Sequence, residues 1–432
     1  MAGKVFVTSL GCPKNLTDTE KMSALSVKRG FEISFDEESS DHALLNTCGF
    51  IGPAIEESHE HIKYLLQLKA EGVFDKVVVA GCLANRCGEA LLRNYPDLDG
   101  VVGIGDQDKI AEVFDSSERS FLCKYQKNLV LEPKLQVTLP HTAYLKIADG
   151  CDNKCTYCTI PLIRGGYRSK PKNDIITEAQ FLAEQGVKEL TLIAQDTTRY
   201  GIDLYGSCEL PDLLRHLVKI DGIEWIRVMY AYPELVSDEL IELMAQEHKV
   251  CNYLDMPLQH IADNVLSRMN RRLDSAGIRK LLKKIRSKVP DVAIRTNFIV
   301  GFPGETADDF EILKRFVKEE GFSRVGVFTY YPETGTAAAE LENQISEELK
   351  EIRCDELINE QSRVIDKMNK GLIGKNFRIL MDTPNVGRTF RDAPEIDGFV
   401  ELKNSSVSAG SFANVQISGA SGYQLEGILI QT

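Results

Sequence analysis

The stretch Ala143-Tyr144-Leu145-Lys146-Ile147-Ala148-Asp149-Gly150-Cys151-Asp152-Asn153-Lys154-Cys155-Thr156-Tyr157-Cys158 decides how this chain is read. A strand-like apolar run leads directly into three cysteines spaced C-x3-C-x2-C. Three thiolates so close together can hold one metal centre. A closed structural zinc site takes four protein ligands, and a ferredoxin-type 4Fe-4S cluster normally takes four cysteines. With three, one iron keeps an open position for a small molecule. The alternative is a zinc knuckle completed by a distant His or Cys.

Composition narrows the setting. The chain has 432 residues, 43% hydrophobic and 27% charged, which is ordinary for a globular protein and long enough for two or three domains. No apolar run approaches the roughly 20 residues of a membrane span. The N-terminus passes from Met1 into Lys4-Val5-Phe6-Val7 without the layout of a secretory leader. Eleven cysteines, an odd number, then point to reduced thiols in the cytoplasm rather than a disulfide framework. A net charge of −13 argues against an extended nucleic-acid surface and suits a basic partner.

Upstream of the triad, three apolar runs each end at a cysteine. Lys4 to Leu10 leads to Gly11-Cys12, Ala43 to Thr47 leads to Cys48, and Lys76 to Gly81 leads to Cys82. Helix-like stretches, Asp18 to Arg29 and Ala54 to Ala70, lie between them. Short buried strands alternating with helices predict an open parallel α/β sheet over residues 1–105, whose ligands sit beyond the carboxyl ends of its strands. Any one such cysteine is readily explained as a small buried hydrophobe. Three in the same position of three successive units point to a second three-cysteine Fe–S site. Cys87, expected on the following helix, is left out. Residues 106–136, with mixed charge, weak periodicity and an isolated Cys123, read as a connector.

Downstream, strand-like runs recur at Glu189–Ala194, Trp225–Tyr230, Tyr253–Pro257, Ile294–Val300 and Val325–Tyr330. With the run before the triad they make six βα units over residues 137–367, too few for a closed eight-stranded barrel. Polar or glycine-rich turns follow several of them. These include Gln195-Asp196-Thr197-Thr198, Leu258-Gln259-His260, and Gly301-Phe302-Pro303-Gly304-Glu305-Thr306. His260 reads as structural. Gly301 and Gly304 allow close approach of the backbone to a ligand. The basic stretch Arg268, Arg271, Arg272, Arg279, Lys280, Lys283, Lys284, Arg286 and Lys288 reads as a solvated helix face. Cys208, Cys251 and Cys354 read as structural thiols. In residues 368–432, four short alternating runs predict a small β-barrel. From Gly371 onward it carries five basic and six acidic residues, a balance that suits a basic protein partner better than RNA.

The triad, with Tyr157 just before its last cysteine, resembles the radical S-adenosylmethionine (SAM) superfamily. Ser9-Leu10-Gly11-Cys12-Pro13-Lys14-Asn15, Asn46-Thr47-Cys48 and Ala80-Gly81-Cys82 resemble the N-terminal domain of its methylthiotransferases. The resemblance implies a (β/α)6 partial barrel, a C-terminal TRAM-type barrel, and two 4Fe-4S clusters. Cys151, Cys155 and Cys158 would hold the cluster that chelates and cleaves SAM, and Cys12, Cys48 and Cys82 the auxiliary one. Tyr157, Gln195, Asp196, Gly301 and Gly304 are the implied SAM contacts. No residue is implied as a general acid or base, because the hydrogen is taken by a radical and an external electron donor starts the reaction. Three stretches, Gly11–Asn15, Ala194–Gly201 and Gly387–Gly398, resemble the branch that methylthiolates the β-carbon of an aspartate in small-subunit ribosomal protein S-twelve. The alternatives are the family's other branch, which modifies adenosine in tRNA, and, less favoured, a non-catalytic Fe–S protein; no membrane is implied. Tyr331–Thr336 and Ser421–Leu425 depart from the usual form of the S-twelve branch.

Overall fold

The computed structural model describes residues 3–123, 128–403 and 407–430. Residues 124–127 of the expected connector lie outside them. The chain forms two compact units. The first comprises Met1–Val137, Lys146–Asn153 and Cys158–Ile175, and the second Thr138–Leu145, Lys154–Tyr157 and Ile176–Thr432.

In the first unit, β1 (Lys4–Ser9), β2 (Glu32–Ser34), β3 (His42–Thr47), β4 (Lys76–Gly81), β5 (Gly100–Val102) and β6 (Ser120–Phe121) form one sheet in the order β2-β1-β3-β4-β5-β6. Every pair is parallel. Parallel sheets need cover on both faces, and β3 and β4 are apolar on both. Ala43, Leu45, Val77 and Val79 pack with Ile62 and Leu65 of α2 (Gly52–Ala70). Leu44, Val78 and Ala80 pack on the other side with Met22 of α1 (Pro13–Lys28). The chain steps from β1 out to β2, then back across β1 to β3, so the crossovers reverse between β1 and β3. Ligands of such sheets bind at that reversal, beyond the strands' carboxyl ends.

The connector reading needs correction. Ser120–Phe121 is the sixth strand, and Ile110, Ala111, Val113 and Phe114 pack in the core with Met22. A two-residue strand and a single helical turn are too short to show a period. The unit also holds a short antiparallel ribbon, β8 (Ala148–Asp149) with β9 (Arg168–Ser169), which follows β7 (Thr142–Lys146) along the chain.

In the second unit, β10 (Glu189–Ile193), β11 (Trp225–Val228), β12 (Val250–Asp255), β13 (Ala293–Val300) and β14 (Arg324–Thr329) join β7 in a six-stranded sheet ordered β14-β13-β12-β11-β10-β7. Strands in sequence order, with helices between them, are the six expected βα units, and the sheet is open at β14 and β7. The helix Glu347–Lys370 then leads to a closed five-stranded barrel, β15 (Asn376–Thr383), β16 (Val386–Thr389), β17 (Val400–Leu402), β18 (Phe412–Ser421) and β19 (Gln424–Leu429). Four of these strands were expected. β16 was not, because its four residues include a glycine and a charged side chain. Among the described residues no helix is long and apolar enough to cross a membrane.

Candidate functional site

Register brings the first three cysteines together. Ser9 pairs with Asn46, and Thr47 with Gly81, so β1, β3 and β4 end level with one another. Cys48 and Cys82 each follow a residue of the last β3–β4 pair, on strands about 4.8 Å apart. Cys12 sits at the N-cap of α1, where its carbonyl accepts from the Asn15 and Leu16 amides. The neighbouring glycines are required by space. A Cβ on Gly11 would stand 2.9 Å from the Cys48 Cβ, and one on Gly81 would stand 2.0 Å from Asn46 Oδ1. Both have positive φ, +92° and +96°, a region costly for other residues. Asn15 clamps the strand ends, donating from Nδ2 to the carbonyls of Leu10 and Thr47 at 3.0 Å each.

The three thiols are not equivalent. Burial opposes ionisation of Cys12, but Lys14, Arg164 and the amides of Asn15 and Lys14 outweigh it and hold its pKa below the ordinary value. Burial raises Cys48 and pushes Cys82 up to about 11, each partly offset by Arg164. Cys12 and Cys48 also act electrostatically on Cys82, as thiols sharing one pocket must. Cys87 ends the short helix α3 (Cys82–Cys87) that begins with Cys82.

The segment after Cys158 packs on the same strand ends. Thr159 Oγ1 donates to the Phe50 carbonyl at 3.0 Å, two residues beyond Cys48, and Asn85 Nδ2 donates to the Ile163 carbonyl at 2.6 Å. Ile163 packs against Cys82. Cys151 is held by its own ribbon, its amide donating to the Gly165 carbonyl at 3.0 Å. Gly150 is obligatory there, since a Cβ would lie 2.1 Å from the Gly166 carbonyl oxygen.

Cys155 and Tyr157 belong to the second unit. Asn270 Nδ2 donates to the Lys154 carbonyl at 2.6 Å, and Thr156 Oγ1 to the Arg268 carbonyl at 2.7 Å. Arg271 Nη1 lies 3.8 Å and the Tyr232 hydroxyl 3.6 Å from Cys155 Sγ, and the Arg271 guanidinium stacks 4.0 Å above the Tyr232 ring. This corrects the solvated-face reading of the basic stretch. The Arg271 side chain is only 4% exposed, and the exposed Arg268 donates to the Pro303 carbonyl at 3.1 Å. The residues on the helix Ser275–Lys288 conform better, with Arg279 and Lys288 paired to surface acids.

The expected SAM contacts divide. Tyr157 meets Phe302 edge-on, their ring centroids 6.5 Å apart. Gln195 has both amide atoms buried and unpaired among the described residues, an arrangement that costs about 1–3 kcal/mol and suits a ligand. Asp196 holds its own turn, accepting from Thr198 Oγ1 at 2.6 Å and the Arg199 amide at 3.2 Å. Gly301 and Gly304 have positive φ, but the space of their missing side chains is taken by Lys350 and Arg268. Glu305 holds that loop, accepting from the Gly301 and Phe302 amides at 2.7 and 3.1 Å and from Arg353 at 2.9 Å. His260, which the sequence argued against as a catalyst, is fully buried, with its Nε2 unbonded among the described residues. Its Nδ1 accepts from the Ala262 amide at 3.0 Å, and burial drives its pKa down to about 3, keeping the ring neutral.

Among the described residues no three His, Cys, Asp or Glu side chains gather as ligands of one ion. A cubane does not require that, because each cysteine binds a separate iron. The donor sets fit such clusters in their chemistry, with three soft thiolates apiece. For the first triad, a buried cation also stands beside the sulfur. That cation, Arg164, and its counterpart at Cys155, Arg271, were missed by sequence reasoning as functional residues. Arg164 is marked in the sequence only by the Gly165-Gly166 that follows it, and Arg271 only by its place in the basic stretch.

Three family descriptions match the chain: Radical SAM superfamily over residues 145–317, Uncharacterized protein family UPF0004 over residues 4–103, and TRAM domain over residues 373–430. Among curated proteins, the ribosomal protein uS12 methylthiotransferase RimO of Elusimicrobium minutum is 49% identical, covering 99% of this chain and 100% of its own. That of Lachnoclostridium phytofermentans is 45% identical, with 98% and 99% covered. Among solved structures, the radical SAM methyltransferase TsrM of Kitasatospora setae aligns with a TM-score of 0.58 at 14% identity, over 77% of this chain and 75% of that one. This last likeness concerns the fold.

Proposed function

Because this chain belongs to the family of ribosomal protein uS12 methylthiotransferases RimO, within the radical SAM superfamily, we propose that it inserts a methylthio group at the β-carbon of an aspartate in that ribosomal protein. Cys151, Cys155 and Cys158 would hold the 4Fe-4S cluster that binds SAM, and Cys12, Cys48 and Cys82 an auxiliary 4Fe-4S cluster. Bound there, the clusters and SAM supply one-electron, radical and sulfur-transfer chemistry that no side chain can perform. The chain's own part is to position. Gln195 offers a buried amide to SAM, Tyr157 packs beside the glycine turn, and Glu305 fixes that turn. Arg271 and Tyr232 lie against Cys155. An external electron donor and a cytoplasmic setting, where thiols stay reduced, belong to the same reading.

The observation that supports it is the level ending of β1, β3 and β4, with Cys12, Cys48 and Cys82 just beyond those three strand ends. The overall charge of −13 supports a basic protein substrate over tRNA. The test uses anaerobically reconstituted protein with reductant and SAM. Cys151→Ala should abolish 5'-deoxyadenosine formation. The triple Cys12/Cys48/Cys82→Ala protein should still cleave SAM but insert no sulfur. Ribosomal protein and tRNA, incubated separately and weighed by mass spectrometry, decide the substrate. Modification of tRNA alone would overturn the assignment.

A further inference from the structure

Arg164 is the most thoroughly enclosed cation among the described residues of the first unit, its side chain 1% exposed. Nη1 donates to both carboxylate oxygens of Asp149 at 3.1 Å. Nη2 reaches Asn15 Oδ1 at 2.7 Å, Asp18 Oδ2 at 2.9 Å and Cys82 Sγ at 3.3 Å. Lys146 also contacts Asp18 and lies 3.6 Å from Asp149. Arg164 and the half-buried Lys146 therefore face two buried carboxylates, with Arg168 also acting on Asp149, so no net negative charge is left before any thiolate is counted. A structural ion pair would be complete with Asp18 and Asp149 alone. The contact of Nη2 with the Cys82 sulfur, which shares its two N–H bonds with Asn15 and Asp18, is what that account leaves over; the same sulfur lies 3.2 Å from Asn15 Oδ1.

We propose that Arg164 sets the reduction potential of a cluster held by Cys12, Cys48 and Cys82, by donating a charged hydrogen bond to the Cys82 sulfur. This rests on the reading of that triad as a cluster site. Hydrogen bonds to ligand sulfurs and nearby charge are the protein's levers on a cluster's potential. A donor withdraws negative charge from the sulfur, which favours the reduced, more negative cluster and raises the potential. Removing Arg164 acts twice in one direction. The bond is lost, and Asp18 and Asp149 lose a cation held against both, keeping Lys146 and, for Asp149, Arg168, so the pocket becomes more negative. Through Asp149, the same guanidinium links Cys82 to the turn that carries Cys151, which makes Arg164 a positioning residue rather than a catalytic one.

The test removes the other triad. Protein with Cys151, Cys155 and Cys158 replaced by alanine can hold only the cluster in question. Its iron content and an EPR-monitored redox titration give a baseline. In that background Arg164→Gln should lower the midpoint by about 59 mV or more, a tenfold change in a one-electron equilibrium. Arg164→Lys, which keeps the charge but not the forked donors, should lower it less. Asp18→Asn, which leaves the arginine in place and removes a negative charge, should raise it. Midpoints unchanged in all variants that load a cluster would overturn the inference. If Arg164→Gln fails to load, the lysine and asparagine variants decide by the sign of their shifts. A parent protein that holds no iron would sink the cluster reading and this inference with it, a result distinct from an unmoved potential.

Discussion

Gln195 leaves the end of β10 with both polar atoms of its amide buried and unbonded among the described residues. Buried amides are rarely left so, because the lost hydration is not recovered. Gln195→Leu removes that cost, so the variant should melt no lower than the parent. If the amide serves SAM, the same change should weaken SAM binding about tenfold, the effect of one ordinary hydrogen bond. Equilibrium dialysis of the reconstituted protein checks this, and unchanged affinity would leave Gln195 without a role. Asp196, its neighbour, shows how far residue type alone can mislead. Both are polar residues at a strand end, yet one holds a turn and the other is left unpaired. The cysteines repeat the point. Cys12, Cys48 and Cys82 hold equivalent places in the sequence pattern, but only Cys12 has its thiol favoured toward ionisation.

The turn between β13 and the following helix is the element that the glycine motif specified, though for a reason the motif did not show. Its glycines make room for Lys350 and Arg268, and Glu305 ties the turn together from inside. The helix beyond it starts with a reciprocal cap between Thr306 and Asp309. Burial pushes the Glu305 carboxyl from 4.5 up to about 7, against the pull of Arg353 and the two amides. Between those values the folded chain retains a proton that the unfolded chain releases. Stability should therefore fall as pH rises from 4.5 to 7 and level off above. The effect is at most about 3 kcal/mol. Glu305→Gln, neutral throughout, should flatten that slope when melting temperatures are compared at pH 5 and pH 8. An unaltered slope would mean that the carboxylate is ionised across the range.

Within the second unit, the C-terminal barrel is fastened to the six-stranded sheet by buried charge. Arg388 bonds Glu189 at 2.7 Å and Asp382 at 2.6 Å, and Glu189 also accepts from Arg227 at 2.8 Å. The Tyr253 hydroxyl donates to Asp397 at 2.8 Å. Arg388, Asp392 and Asp397 all lie in Gly387–Gly398, the stretch whose resemblance pointed to a ribosomal protein substrate. Its Arg388, Asp392 and Asp397 side chains are engaged within the protein, while Glu395 and Ile396 of the same stretch are exposed. Arg388→Met leaves Glu189 with Arg227 and Asp382 with His141 as their remaining partners, and breaking this buried network should cost about 3–5 kcal/mol, seen as a lower melting temperature. Adding Glu189→Gln should restore part of it, because the pair shares one network. The six parallel strands, the helices between them and both cysteine groups were legible because each is a local or periodic signal. Continuous apolar runs mark strands covered on both faces, and close cysteine spacing is independent of the fold. Among the short strands, β11 and β17 were legible because each lies in a longer strand-like run, whereas β2, β5, β6 and β16 were not. Nor were the buried arginines. Arg164 meets Asp18 and Asn15 146 and 149 residues away along the chain, and a charge is read as exposed until its partners are known. The sequence by itself therefore determined what the chain can ligate and which layers it builds. Only the tertiary structure decided which charges stand beside the sulfurs and which glycines yield space to side chains, because both depend on contacts between segments that no local pattern records.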